Sequence, residues 1–343
     1  MVISKPANAL RLALEAGFGI TTLERAPVAS TEVPLQQSRL RIGTRGSALA
    51  LAQAHDVRRR LAAAHGRDEA SIEVVVIRTT GDRIQDRPLS EAGGKGLFTK
   101  EIEEALLDGS IDLAVHSMKD MPTALPDGLA ITSILPREDV RDAFISPKWP
   151  SIDALPQGAV VGSSSLRRQA QLRRMRPDFQ VVMYRGNVET RLRKLADGAV
   201  DATLLAVAGL NRLGLADRIT APIPLDVMLP AVAQGAVGIE CRFDDENTAG
   251  LLEPLNDAAT SLCVTAERAF LARLEGSCRT PIAGLGQLEA GVFTFRGEIL
   301  RPDGSESHAV RRQGQPAAAV QLAVDAAEEL LARAGPGFLG AGG

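Results

Sequence analysis

Two stretches of the sequence place serine and arginine between a short apolar run and a helix-forming run. The stretch "RIGTRGSAL" contains Arg45 and Ser47. A helix N-terminus offers unpaired N–H groups and the positive end of the helix dipole, so it binds anions readily. N-capping alone explains either stretch, but arginine in both indicates a site for carboxylates or phosphates. The second stretch, "VVGSSSLRR", contributes Ser163, Ser164, Ser165, Arg167 and Arg168.

Positive charge is concentrated over residues 162–194. This segment contains nine arginine and lysine residues and two acidic residues, whereas the whole chain has a formal net charge of −3. In "YRGNVETRL" a turn at Gly186 and Asn187 brings Arg185 and Arg191 together. Arginine grips carboxylates and phosphates in a forked geometry, so we infer a small ligand with several negative charges. Three further arginines are interpreted as a solvated helix face: Arg173, Arg174 and Arg176.

The motif "HSMKDMP" follows an apolar strand at its carboxyl end, where open α/β sheets bind ligands. Lys119 suits a carboxylate, and Asp120 is the one acid amid many cations, which keeps it ionised. Asp120 can hold an N–H donor or stabilise a cationic intermediate; a salt bridge to Lys119 is the alternative. His116 stands alone in the sequence and is interpreted as a structural histidine.

Cys278 lies among small and turn-forming residues in "EGSCRTP", and Arg279 beside it favours the thiolate. Nucleophilic catalysis normally uses a neighbouring base, and no histidine is near it in the sequence. A thiolate that reacts once and stays modified needs no such base. The residues alone leave both readings open. Cys241 and Cys263 lie in apolar runs and are interpreted as inert.

Several function classes are disfavoured. The sequence contains no cluster of histidine, cysteine and carboxylate at metal-ligand spacing, so no metal is expected. It contains neither GxxxxGK[ST] nor a GxGxxG after a strand. Aromatic residues make up only 3% of the chain, few for stacking nucleic-acid bases. No apolar run reaches membrane-span length. Scattered cysteines without CxxC, and an N-terminus unlike a signal peptide, predict a cytoplasmic protein.

The positioning elements alternate between strand and helix, which predicts an α/β fold with mainly parallel sheets. "LLDGSID" at 106–112 matches "LADGAVD" at 195–201. With the two Ser/Arg stretches in the same order, this match predicts two similar domains. From about Thr260 the pattern changes to a small α+β domain. We expect a poorly ordered extension over 1–38, domain 1 over 39–136 plus about 234–254, domain 2 over 140–230 and domain 3 over 258–340.

Seven ordered motifs make the chain similar to the porphobilinogen deaminase family over about residues 39–335. They are "RIGTRGSALALAQ", "GGKGLFTKEIEEALLDGSIDLAVHSMKDMPT", "VGSSSLRRQAQL", "RGNVETRLRKL", "LAVAGLNRLGL", "LPAVAQGAVGIECR" and "EGSCRTPIAG". The resemblance implies three domains, the first two alike and similar to type II periplasmic binding proteins. It implies a transferase of tetrapyrrole and haem biosynthesis that deaminates four porphobilinogens and joins them head to tail. They are joined onto a dipyrromethane cofactor, a thioether of Cys278, and released as hydroxymethylbilane with ammonia as co-product.

The resemblance also implies residue roles. Asp120 is the expected catalytic residue, holding pyrrole N–H groups and stabilising the positive charge formed as ammonia leaves. Lys95 and Phe98 are expected to act with a mobile 82–94 loop that covers the site. The expected cofactor contacts, besides Cys278 and Asp120, are Arg45, Ser47, Lys119, Ser163, Ser165, Arg167 and Arg168. The expected substrate contacts are Arg185, Arg191, Arg212, Gln53 and Ser117.

Two other classes of function are weighed. A non-catalytic, two-domain anion-binding protein would share the duplicated units and the arginine-lined cleft, but it needs neither Asp120 nor Cys278. A nucleic-acid binder using 162–194 would show a steep salt dependence of binding. We therefore expect porphobilinogen as the small-molecule partner, no nucleic acid, no membrane and a monomer.

Overall fold

The computed structural model describes residues 39–83, 97–277 and 280–339, so the predicted extension over 1–38 lies outside the described residues. The strands are β1 (Leu40–Thr44), β2 (Ile72–Val76), β3 (Leu113–Ser117), β4 (Leu129–Ile134), β5 (Asp142–Ile145), β6 (Val160–Gly162), β7 (Gln180–Val182), β8 (Ala202–Ala206), β9 (Ala221–Pro222), β10 (Val237–Arg242), β11 (Ile282–Glu289), β12 (Val292–Leu300) and β13 (Ser307–Gly314). The α-helices are α1 (Ala48–His65), α2 (Thr80–Arg83), α3 (Lys100–Leu107), α4 (Leu166–Met175), α5 (Val188–Ala196), α6 (Val207–Arg212), α7 (Glu246–Leu252), α8 (Ala258–Arg273) and α9 (Ala319–Ala334).

Two of the sheets share one topology. The first has the strand order β2-β1-β3-β10-β4 and the second β7-β6-β8-β5-β9. In each sheet the first three strands are parallel, and the fourth is antiparallel to both of its neighbours. We call these sheets with their helices the first and second units. The predicted α/β class with two similar, mainly parallel units is confirmed.

The backbone conformation explains why an Asp-Gly pair recurs in the two matching sequences. Gly109 follows α3 and Gly198 follows α5, and both glycines have a φ of 76°. This left-handed conformation is cheap only for glycine, and it ends a helix so that the chain can turn back into a strand. The turns lead to β3 and β8, which are equivalent strands of the two sheets.

Strand β3 is covered on both faces. Val57 and Leu61 of α1 pack with Val115, whereas Ile102 of α3 packs with Ala114 on the opposite face. Successive side chains of a strand point to opposite faces, so two helices bury one strand. Only the carboxyl end of β3 lies at the edge of this packing, and the residues that follow it are therefore available to a ligand.

The third unit is an antiparallel sheet in the order β11-β12-β13, covered by α8 and α9. Phe270 of α8 and Phe295 of β12 lie in its core, with ring centroids 4.9 Å apart. This unit contacts the arginine-rich helix α4. Arg173 donates to the Pro302 carbonyl at 2.7 Å, and Arg174 pairs with Glu298. These two arginines are therefore not simply a solvated face, because they join the second unit to the third.

The chain crosses between the first two units twice, over residues 135–141 and 230–236, and the two crossing segments lie side by side. The Arg137 Nε donates to the Gln234 carbonyl at 2.9 Å, and the Glu138 N–H donates to Gly235 O at 3.3 Å. Gly235 has a φ of +87°, and a Cβ there would lie 2.4 Å from the Glu138 carbonyl oxygen. Only glycine permits this close approach of the segments.

Glu267 of α8 holds both crossing segments to the third unit. Its fully buried carboxylate accepts two hydrogen bonds from Arg137, at 2.6 and 3.0 Å. It also accepts from the backbone N–H groups of Ala233, at 2.6 Å, and Gly286, at 2.8 Å. A buried carboxylate is stable only with such a complete set of partners.

None of the helices in the described ranges has both the length and the apolar character needed to cross a membrane.

Glu267→Ala should lower the free energy of unfolding by about 3–5 kcal/mol, because it leaves the mostly buried Arg137 without its counter-charge and two backbone N–H groups without their acceptor. The measurement is denaturant unfolding followed by circular dichroism. The matched control is Glu328→Ala, which removes the exposed partner of Arg273 and should cost less than about 1 kcal/mol. Equal effects of the two substitutions would contradict a structural role for the buried carboxylate.

Candidate active site

A pocket opens at the carboxyl ends of β1 and β3 in the first unit. Six of the residues singled out from the sequence line it: Arg45, Ser47, Gln53, Phe98, Ser117 and Asp120. Ser47 caps α1, since its hydroxyl accepts from the Ala50 N–H at 3.3 Å. Gln53, which is buried, donates from Nε2 to the Ser117 hydroxyl at 2.8 Å. The fold thus brings residues from two separate motifs to one opening.

Asp120 reaches the pocket through a single 3₁₀ turn, Met118–Asp120, that directly follows β3. Met118 is buried and anchors the turn, whereas Asp120 is exposed at the mouth of the pocket. Lys119 is half-buried. Burial lowers the pKa of Lys119 to about 8; Asp120 and Asp142 oppose this effect, and Arg168 and Arg167 add to it.

Phe98 forms the other wall together with Arg45, whose guanidinium carbon lies 4.1 Å from the centre of the phenyl ring. A Cβ at Gly81 would lie 2.3 Å from a Phe98 ring atom and 2.8 Å from the Leu97 carbonyl oxygen, so glycine is required there. The Gly81 N–H donates to that same carbonyl at 2.7 Å. Lys95 and residues 84–94 of the predicted cover loop lie outside the described residues.

On the side of the second unit, Arg167 and Arg168 are buried and share one acid, Asp142. Arg167 donates to Asp142 Oδ2 at 2.8 Å, and Arg168 donates to Oδ1 at 2.7 and 3.1 Å. Their remaining bonds go to the carbonyls of Leu229 and Leu204. Burial opposes ionisation of Asp142, but the two guanidiniums outweigh it and hold its pKa well below the usual range.

The sequence interpretation missed Asp142. Its only signal is an acidic residue at the start of the apolar strand "DAFI". The grip of Arg167 and Arg168 on cofactor carboxylates stays a prediction, and in the described structure both guanidiniums are directed at this acid.

Arg191 of the second unit interacts electrostatically with Asp120 of the first. It donates to the Gly186 carbonyl at 2.7 Å and to the Ser164 hydroxyl at 3.3 Å. Burial lowers its pKa to about 10; the charges of Arg168 and Arg185 add to this, and that of Asp120 opposes it. Arg191 is therefore within electrostatic reach of groups from both units. The predicted turn before it is confirmed, because Asn187 caps α5 and Gly186 has a φ of +128°.

The serines of the second Ser/Arg stretch have structural partners. Ser165 caps α4 by accepting from the Arg168 N–H at 3.4 Å. Ser163 is buried, and its hydroxyl accepts from the Ser165 N–H at 3.2 Å. N-capping, the alternative weighed for these stretches, is therefore present in both copies. It does not conflict with anion binding, since a capped helix end retains its positive dipole.

Arg212 lies away from the pocket. Its Nη2 donates to the carbonyl of Gly235 at 2.8 Å, in the returning crossing segment. Burial lowers its pKa, which the charge of Glu138 opposes. Its contact with substrate stays a prediction, and the structure gives it a bond between α6 and the crossing segments.

Cys278 and Arg279 lie outside the described residues, but the residues on either side of them are tied together. The Ser277 N–H donates to Thr280 Oγ1 at 2.9 Å, and that hydroxyl donates to Ser277 O at 2.7 Å. Burial raises the pKa of Cys241 to about 11 and that of Cys263 to about 12. Both thiols thus stay protonated, in agreement with their interpretation as inert.

The donor set fits a ligand with several carboxylates. Lys119 and Arg191 are each destabilised as cations by burial and by neighbouring arginines, and a polyanion would relieve this crowding. Asp120 lines the pocket with Arg45 and interacts electrostatically with both of these cations. Among the described residues, no group of three or more histidine, cysteine or acidic side chains is arranged to hold a metal ion.

Comparisons with known proteins agree with this chemistry. Residues 40–250 match the family model "Porphobilinogen deaminase, dipyromethane cofactor binding domain", and residues 261–332 match "Porphobilinogen deaminase, C-terminal domain". The chain is 60% identical over 308 residues to the porphobilinogen deaminase of Paracoccus denitrificans, covering 90% of this chain and 98% of that protein. It is 58% identical over 297 residues to that of Nitrobacter hamburgensis, covering 87% and 94%. Among solved structures, the methionine binding protein MetQ matches 67% of this chain and 93% of its own, with a TM-score of 0.41 and 15% identity.

The lowered pKa of Lys119 predicts a pH-dependent anion site. The ammonium is present below about pH 8 and is lost as the pH rises through that value. In a Cys278→Ser protein, the affinity for benzene-1,2,4,5-tetracarboxylate should therefore fall about tenfold between pH 7 and pH 9. Calorimetric titration at constant ionic strength measures this change. Adding Lys119→Arg should abolish most of it, because a guanidinium keeps its charge; an unchanged fall would exclude Lys119 as the cause.

Proposed function

The chain belongs to the porphobilinogen deaminase family, and from this membership we propose a role for each group of residues around the cleft. The protein is an enzyme of tetrapyrrole biosynthesis that uses a dipyrromethane cofactor. It deaminates porphobilinogen and joins four molecules head to tail into hydroxymethylbilane, with ammonia as co-product. Membership of this family supports an enzyme rather than a non-catalytic anion-binding protein, which would need neither Asp120 nor Cys278.

The cations of the cleft bind the carboxylates. Porphobilinogen carries an acetate and a propionate, so negative charge accumulates as the chain of pyrroles grows. We assign cofactor binding to Cys278, Arg45, Ser47, Lys119, Asp120, Ser163, Ser165, Arg167 and Arg168. We assign substrate binding to Arg185, Arg191, Arg212, Gln53 and Ser117, and the cover to Lys95 and Phe98. The crowding of Lys119 and Arg191 with other cations supports these assignments.

Asp120 is the proposed catalytic residue. When bound, dipyrromethane supplies the free pyrrole carbon onto which the substrate units are joined. The loss of ammonia leaves positive charge on the substrate ring, in a pocket where Arg45 adds a further positive charge. A carboxylate fixed at the end of β3 stabilises that charge and accepts hydrogen bonds from pyrrole N–H groups. Its position on a turn anchored by buried Met118 supports this role, since a preorganised charge need not be reoriented during the reaction.

We also propose the remaining features of the enzyme. The chain divides into domain 1 over 39–136 and about 234–254, domain 2 over 140–230 and domain 3 over 258–340. The pairing of β10 with β3 and β4 supports the return of the chain to domain 1. The enzyme works as a cytoplasmic monomer that binds porphobilinogen and engages neither nucleic acid nor membrane. Its three scattered cysteines support a reducing compartment.

Covalent attachment can be tested by mass. Intact protein purified from cells that make tetrapyrroles should be heavier than the polypeptide by one dipyrromethane. The Cys278→Ser protein should have the polypeptide mass, whereas Cys263→Ser should keep the addition, because Cys263 is buried and protonated. An unmodified mass for the unsubstituted protein would contradict the proposal.

Asp120→Asn should reduce turnover on the order of a hundredfold or more, since it removes the charge that stabilises the cationic ring but keeps the size of the side chain. The measurement is hydroxymethylbilane formation per cofactor-loaded molecule, with loading counted from the intact mass. Circular dichroism of the same sample verifies the fold. Near-normal turnover in a folded, loaded Asp120→Asn protein would exclude the residue as the stabiliser.

A further inference from the structure

His116, which lines the pocket, forms a buried pair with a carboxylate that none of the roles above uses. His116 Nε2 lies 2.9 Å from Glu240 Oε2, and the two side chains are 5% and 0% exposed. His116 is on β3 opposite Gly238 of β10, and Glu240 lies two residues further along β10. Residues two apart on a strand share a face, so the carboxylate is a diagonal neighbour of the imidazole.

The pairing decides which ring nitrogen is available for proton transfer. Carboxylate oxygens accept hydrogen bonds, so the pairing favours the tautomer with its hydrogen on Nε2 and the lone pair on Nδ1. His116 lines the pocket together with Asp120. The hydrogen bond to Glu240 uses Nε2, so Nδ1 is the ring nitrogen left for a group in the pocket. A buried carboxylate and an imidazole that it orients form the usual arrangement of a general base.

The charges around His116 favour its acting as a proton acceptor. Glu103 of α3 is buried nearby; burial raises its pKa, the charge of Glu240 adds to this effect, and that of His116 opposes it. One oxygen each of Glu103 and Glu240 has no hydrogen-bond partner among the described residues. Arg268 of α8 interacts electrostatically with Glu240, and Asp120 and Arg45 line the same pocket as His116. The carboxyl groups of Glu103 and Glu240 are therefore close enough to stabilise an imidazolium at His116.

We propose that His116, oriented by Glu240, is a further catalytic residue that accepts the proton released in each condensation. The inference rests on the proposed function. In each condensation, the substrate ammonium group leaves as ammonia with the C–N electron pair. A carbon–carbon bond then forms between the methylene carbon and a free pyrrole carbon. The hydrogen on that pyrrole carbon must leave as a proton, and its electron pair returns to the ring.

His116 Nδ1 takes this proton and passes it to the ammonia, which departs as ammonium; nothing is oxidised or reduced. Asp120 is poorly suited to the same task. Its carboxylate is assigned to stabilising the cationic ring, whereas imidazole as a class exchanges protons near neutral pH. The two residues thus divide the work, Asp120 stabilising the positive charge and His116 removing the proton.

The test uses the cofactor-loaded enzyme with His116→Asn, Glu240→Gln and the control His65→Gln. His65 bonds the Leu251 carbonyl on the far end of α1 and should leave turnover unchanged. His116→Asn should lower kcat about a hundredfold per loaded molecule with KM within about twofold of normal, as expected for lost general base catalysis. Glu240→Gln should move the acid limb of the kcat–pH profile to lower pH, because the imidazolium loses its counter-charge.

A second readout does not depend on turnover. The chain has only four histidines, so ¹⁵N-histidine NMR can resolve their ring nitrogens, with His116→Asn providing the assignment. The neutral ring of His116 should carry its hydrogen on Nε2, and this tautomer preference should weaken in Glu240→Gln. The spectrum of the unsubstituted protein remains informative even if one variant folds poorly.

Two outcomes would overturn the inference: kcat of folded, loaded His116→Asn within twofold of the unsubstituted enzyme, or a neutral His116 ring protonated on Nδ1. Failure of the proposed function would look different, since the unsubstituted protein would then have no added mass and no turnover.

Discussion

The geometry of the cleft depends on one buried carboxylate, Asp142. It accepts hydrogen bonds from Arg167 and Arg168 of α4 and from the Gln234 side-chain amide of the returning crossing segment, the last at 2.9 Å. Asp142 itself begins β5, directly after the outgoing crossing segment. One charge therefore holds α4 to both connections between the units. Because a buried ion is tolerated only with all of its partners, this arrangement fixes the position of α4 at the cleft.

Asp142 also distinguishes two groups of cations around the cleft. Arg167 and Arg168 are largely satisfied by it, whereas Lys119 and Arg191 are crowded by neighbouring positive charge, and their pKa values are lowered to about 8 and about 10. A ligand with several carboxylates completes this incomplete set of charges. Asp120, the proposed stabiliser of the cationic ring, lines the pocket with Arg45.

The duplicated units share a scaffold but not their chemistry. The equivalent strands β3 and β8 both follow an Asp-Gly turn, yet β3 leads to Lys119 and Asp120 and β8 leads to α6 with Arg212. Arg212 bonds the crossing segment, so the second copy contributes to the connection between units where the first contributes to the pocket. Glu267 holds the third unit to the same crossing segments through its hydrogen bonds. Glu267 lies on α8, the helix that precedes Cys278 in the chain.

The sequence by itself determined the fold class, the duplicated units and the residues at the end of β3, because helix caps, Asp-Gly turns and strand ends are set by neighbours a few residues away. Ser47, Gly186 and Asp120 are examples whose positions follow from such local patterns. Only the tertiary structure decided the long-range partners. His116 and Glu240 are 124 residues apart, and Arg137 and Glu267 are 130 apart. Which guanidinium or imidazole meets which carboxylate depends on how the chain crosses between its units, and no spacing in the sequence encodes that path.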